Sequence, residues 1–100
     1  MGIAFNSKVA GLRIIGPGSK LQDVQEAKAL NYEYKDVSIY SCSYGAEEEG
    51  VDIQEPPYVT KKALVNGVNN GRDGKGSIFV FATGNGGAND NCNYDGYANR

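Results

Sequence analysis

The sequence predicts an α/β fold, ordered β-α-β-α-β around a parallel sheet. Three observations point to it. Residues 8–15 (KVAGLRII), 37–42 (VSIYSC) and 78–82 (IFVFA) are short runs that are apolar on both faces, as buried parallel strands are. The stretches between them space their apolar residues at helical intervals. Each crossover is long enough to return the chain for a parallel neighbour, and such connections are right-handed.

Taken in order, the run 8–15 is broken by Gly16-Pro17-Gly18-Ser19. Residues 21–30 (LQDVQEAKAL) carry Leu21, Val24, Ala27 and Leu30 on one helical face, with Ser19 placed to cap it. Strand 37–42 follows. Residues 45–57 form a loop rich in acid and proline. Residues 58–68 repeat the helical pattern through Val59, Ala63, Leu64 and Val68. Residues 71–76 are a turn and 78–82 the last strand. From Gly84 onward the chain is glycine- and asparagine-rich loop. Ligands of such sheets gather at the carboxyl ends of the strands. That rule puts residues 15–19, 43–54 and 85–95 on one rim, and these are the polar loops. A sheet of only three such strands leaves two apolar edges open and buries little surface. The segment therefore reads as the interior of a larger sheet.

One hundred residues suffice for one small domain. The net charge of −2 comes with no basic stripe, so nucleic acid is not an expected partner. No apolar run approaches the length of a membrane span. The opening MGIAFN lacks the regions of a signal peptide and starts amid structured-looking sequence, so Met1 reads as a chance start. The chain has no histidine, which excludes a Ser-His-Asp triad or an imidazole zinc site within these residues. Cys42 lies in an apolar run and reads as a small buried hydrophobe. Cys92 lies in a polar loop and could bridge to another cysteine. A pairing with Cys42 is open but geometrically unfavoured, because a mid-strand thiol rarely meets a loop thiol correctly.

Residues 77–87, SIFVFATGNGG, hold the sharpest functional signal. A strand delivers the amide of Asn85 into a turn of glycines, whose small bulk and tolerance of positive φ allow close approach. A neutral donor held in this way suits developing negative charge. The bland alternative is a turn residue that tolerates left-handed backbone.

Four motifs, GIAFNSKVAGLRI, IYSCSYG, KGSIFVFATGNGG and NCNYDGYAN, span nearly the whole chain in order. Through them the chain resembles the catalytic domain of the kexin/furin-like proprotein convertases, a branch of the subtilisin-like serine proteases. The resemblance implies a partial subtilisin-like α/β/α domain, from the stretch between the catalytic histidine and the catalytic serine. Such enzymes order their triad Asp, His, Ser, which accounts for the missing histidine.

By the resemblance, Asn85 is the oxyanion-hole amide. Loss of the equivalent donor costs about 2.7–4 kcal/mol in subtilisin, and that magnitude belongs to subtilisin. Asp95 matches the acid at the base of the pocket for a substrate arginine, a site that suits a planar carboxylate. Glu48 stands where the family has an aspartate that lines the same pocket and helps bind calcium; the extra methylene moves its carboxylate. The bland reading of Glu47-Glu48-Glu49 is a solvated acidic loop. Asp90 matches a second calcium ligand, in a loop one residue shorter than the family pattern, and a further ligand is expected past Arg100.

Glu26 matches an acid facing a basic residue farther upstream in the substrate; the bland reading is a charge on a helix surface. Gln54 stands where the family often has an aspartate. Ser43 and Gly45 match positions whose backbone lies along the substrate, in the manner of an added strand. Tyr44 replaces the usual tryptophan. Cys92 matches a cysteine whose partner lies downstream, which implies an oxidising, secretory setting, at a Golgi-type membrane or outside the cell.

Together these features imply a calcium-dependent serine endopeptidase that cleaves proteins or peptides after basic residues. The segment alone is expected to be inert and to need the rest of the catalytic domain, with membrane anchoring of the parent left open. A degenerate, non-catalytic module binding basic peptides or calcium is the alternative. A nucleotide-binding domain fits poorly, because G-N-G-G lacks the G-x-G-x-x-G spacing.

Overall fold

The computed structural model describes residues 2–45, 55–85 and 97. Helix α1 spans Asp23–Leu30, strand β1 Ile39–Cys42, helix α2 Tyr58–Gly74 and strand β2 Ile78–Phe81. The strands pair in parallel, with Ile39 opposite Ile78 and Cys42 opposite Phe81. The expected α/β class and parallel pairing are therefore found. A hydrogen bond from the Ala82 amide to the Cys42 carbonyl (3.1 Å) extends the ladder to the ends of both strands.

One face of the sheet is packed. Tyr40 and Cys42 are buried on it with Leu30 of α1 and Ala63 of α2, and Phe79, Phe81, Ala27 and Leu64 close around them. The cross-strand pair Tyr40 and Phe79 stacks at 5.1 Å between centroids and 17° between planes. The Tyr40 hydroxyl donates to the Tyr32 carbonyl at 2.8 Å, which ties β1 to the turn after α1. On the other face Ile39, Ile78 and Val80 are exposed.

The first expected strand does not form: residues 8–15 carry no strand pairing. A cavity of about 750 Å³, lined by Val9, Leu12 and Ile14 on one side and Ser38, Tyr40 and Cys42 on the other, lies between this segment and β1. The two backbones thus do not come to the roughly 4.8 Å at which laddered strands sit. Ser19 does not cap α1. Its hydroxyl donates to the Gly16 carbonyl (3.0 Å) and accepts from the Gly16 amide (2.9 Å), closing the Gly-Pro-Gly turn on itself. Gln22 is the capping residue instead, without a side-chain bond.

Each helix turns inward part of the face that hydropathy indicates, Ala27 and Leu30 of α1 and Ala63 and Leu64 of α2, but not all of it. Val24, Val59 and Val68 are exposed. The buried side of α2 is Thr60, Ala63, Gly67 and Gly71, a stripe of small residues. Such a stripe lets the helix lie close on β2: a Cβ at Gly67 would come within 2.5 Å of the Phe79 ring. The backbone leaves helical geometry at Gly71, Arg72 and Asp73, so the expected turn begins where the sequence placed it. An amide clamp also joins the helices, as Asn66 donates to Asn31 at 2.7 Å.

Candidate functional site

The parallel topology brings the carboxyl ends of β1 and β2 side by side. Ser43, Tyr44 and Gly45 leave the first; Thr83, Gly84 and Asn85 leave the second. Gly84 takes φ of +99°, a conformation in which a side chain would be strained, and so turns the chain out of the sheet. Asn85 follows at an exposed bend. Ser43 and Gly45 are also exposed, leaving the backbone beyond β1 accessible to an extended peptide. These three residues therefore share one rim, as the strand order requires.

Glu26 is placed differently from a helix-surface charge. Its side chain is buried, with the residue 1% exposed, beneath the end of β1. The Thr60 hydroxyl donates to Oε2 at 2.9 Å. The Tyr97 hydroxyl lies 3.0 Å from Oε1 and 3.1 Å from Oε2. Among the described residues no cation pairs with it; the one ion pair there joins Lys61 and Glu55. Isolated buried carboxylates are costly, and here hydroxyl donors offset that cost.

Aromatic rings hold the same corner together. Phe81 packs against Tyr97 at 5.0 Å and against Tyr44, edge-on, at 6.2 Å. The ring at position 44 is thus packed edge-on against the end of β2. Burial pushes the Tyr44 hydroxyl far above its ordinary pKa, with the Cys42 thiol and the Glu26 carboxylate adding to the effect. Burial also raises the Cys42 thiol; its bond with Tyr44 opposes the shift and the Glu26 charge reinforces it. A buried thiol held protonated is a poor nucleophile, consistent with a packing role.

Glu48, Gln54, Asp90, Cys92 and Asp95 lie outside the described residues. Among the described residues no group of three His, Cys, Asp or Glu side chains is placed to hold a metal. No helix among them is long and apolar enough to cross a membrane. The residue that sequence reasoning missed is Thr60. It falls in register with Ala63, Gly67 and Gly71, and a hydroxyl within a small-residue stripe was the available sign that α2 supplies a buried donor.

The model of the subtilase family matches residues 1–99. The chain belongs to the subtilase family. This subtilase segment is 53% identical over 100 residues to a dibasic-processing endoprotease of Schizosaccharomyces pombe, covering 99% of the segment and 14% of that protein. It is 52% identical over 101 residues to mouse proprotein convertase subtilisin/kexin type 7, covering 99% of the segment and 13% of that protein. Kexin of Saccharomyces cerevisiae is 49% identical over 100 residues, with 99% and 12% covered. The segment thus spans 12–14% of the length of these curated relatives.

Proposed function

We propose that this segment lies between the catalytic histidine and serine of a calcium-dependent serine endopeptidase that cleaves proproteins after basic residues. The observation that carries the reading is the exposed Asn85, delivered by β2 to the rim where Ser43 and Gly45 leave β1. In this role the extended substrate lies along residues 43–45. The Asn85 amide donates to the carbonyl oxygen of the scissile bond as that oxygen gains charge. The chain has no histidine to serve as base, and on this reading the nucleophilic serine lies outside it, so the segment alone is inert.

Basic-residue selection rests on Asp95 and Glu48 at the cleavage position and on Glu26 farther upstream. Carboxylates in a partly dry site attract a guanidinium strongly. Glu26 suits this role because it is ringed by hydroxyls yet has no cation among the described residues. Glu48 and Asp90 offer the hard oxygen donors that calcium takes, and bound calcium would neutralise the acidic loops that carry them. The names of the relatives and the match at Cys92 support a protein of the secretory pathway, acting at a Golgi-type membrane or outside the cell.

The full-length gene product, assayed on fluorogenic peptides with arginine or its neutral isostere citrulline at the cleavage position, tests the reading. Cleavage only after arginine, lost on calcium chelation, is expected. Binding of the arginine peptide or of calcium without any cleavage would favour the degenerate module, which the departures at Glu48 and Gln54 suggest. Equal treatment of the two peptides would refute basic selection.

A further inference from the structure

We propose that Thr60 is a positioning residue for charge selection: its hydroxyl fixes the Glu26 carboxylate in the orientation that receives a cationic side chain upstream of the cleaved bond. The inference rests on the reading of Glu26 given above and adds a residue on a separate helix.

Thr60 is fully buried, at 0% exposure, and Glu26 nearly so, at 1%. The 2.9 Å bond between them spans 34 residues of sequence and joins α2 to α1 inside the core. The other buried residues of α2, Ala63, Gly67 and Gly71, have no polar side-chain atoms. Thr60 is thus the polar side chain of this buried stripe, set about one or two turns from the Asn66 that bonds the end of α1. Among the donors to Glu26, Tyr97 and Thr60 differ in kind. Tyr97 straddles both carboxylate oxygens from a half-buried position, whereas Thr60 binds Oε2 alone from within the helix packing. A carboxylate accepts roughly four hydrogen bonds. Thr60 thus fixes Oε2 from the interior, whereas Oε1 faces the half-buried Tyr97 hydroxyl, whose place an incoming guanidinium would share or take. Without the Thr60 donor the carboxylate is held from the Tyr97 side alone, and Oε2 loses its interior partner.

The test uses the full-length gene product and a pair of fluorescent peptides, carrying arginine or citrulline at the upstream position and otherwise identical. The readout is the ratio of their dissociation constants, which does not depend on turnover. Wild type is expected to favour arginine. Thr60→Val should lower that preference roughly tenfold, as loss of one hydrogen bond to a charged group implies, while citrulline affinity holds. Thr60→Ser, which keeps the hydroxyl, should restore the preference. Thr60→Ala serves the same comparison if the valine variant fails to fold. Glu26→Gln should abolish the preference. If Glu26→Gln abolishes it but Thr60→Val or Thr60→Ala leaves it intact, the positioning role is wrong and the reading of Glu26 stands. If Glu26→Gln leaves the preference unchanged, or wild type has none, both are wrong.

Discussion

Replacing Gly67 with alanine probes how closely α2 must lie on β2. The new Cβ would meet Phe79 Cζ at 2.5 Å and Cε2 at 2.9 Å. Ordinary contact begins at 3.4 Å, so the ring would have to retreat by about 0.9 Å. Phe79 is not a loose side-chain end. Its ring stacks on Tyr40, and the Tyr40 hydroxyl is bonded to the Tyr32 carbonyl. Retreat therefore disturbs the stack, a bonded hydroxyl or the spacing of helix and sheet. Overpacking of this kind costs about 1–3 kcal/mol. Alanine in a helix regains about 1 kcal/mol over glycine. The net expectation is a loss of about 1 kcal/mol, within a range of about 0–2 kcal/mol. Urea unfolding of the full-length gene product should show a lower midpoint with an unchanged slope. A midpoint at or above that of wild type would show that the helix does not approach Phe79 as closely as described.

On the proposed oxyanion role, in which the amide acts on charge that appears only in the transition state, Asn85→Ala should lower kcat by roughly a hundred- to a thousandfold with little change in KM; steady-state kinetics on an arginine peptide would show it. Tyr40→Phe removes the 2.8 Å bond to the Tyr32 carbonyl and should cost about 1 kcal/mol in chemical unfolding. The raised Tyr44 and Tyr40 hydroxyls set an alkaline limit. The folded state keeps these protons where the unfolded chain releases them, so their contribution is intact below an unfolded pKa of about 10 and stability falls as pH rises beyond it. The decline of thermal midpoints above that pH should flatten in Tyr44→Phe.

The parallel pairing of β1 and β2 was legible because few topologies satisfy two apolar runs joined by a helical crossover. The strand expected over residues 8–15 was not. Hydropathy reports that Val9, Leu12 and Ile14 want cover, and in the structure they face a cavity rather than the edge of β1. The inward faces of the helices were legible only in part, Ala27, Leu30, Ala63 and Leu64 packing as expected, and the rest was missed for a related reason. Thr60, Gly67 and Gly71 bury by being small, and small residues leave little trace in an apolar pattern, while Val59 and Val68 leave a strong trace and stay exposed.

Within the candidate site, the shared rim of Asn85, Ser43 and Gly45 followed from strand order alone. Glu26 was picked out only through the family motif, since no local pattern marks a glutamate for burial. Its donors come from 34 and 71 residues away, a relation that spacing along the chain does not encode. Glu48, Asp90 and Asp95 lie outside the described residues, and their roles are those proposed from the family resemblance.

A crystal structure of the full-length gene product bound to a peptide aldehyde ending in arginine bears most directly on the role of this rim. The aldehyde adduct mimics the tetrahedral intermediate. The expected result has the Asn85 amide nitrogen about 2.7–3.1 Å from the adduct oxygen, with the peptide backbone running along residues 43–45. An Asn85 amide turned away from that oxygen, or an arginine side chain far from both Asp95 and Glu48, would contradict it.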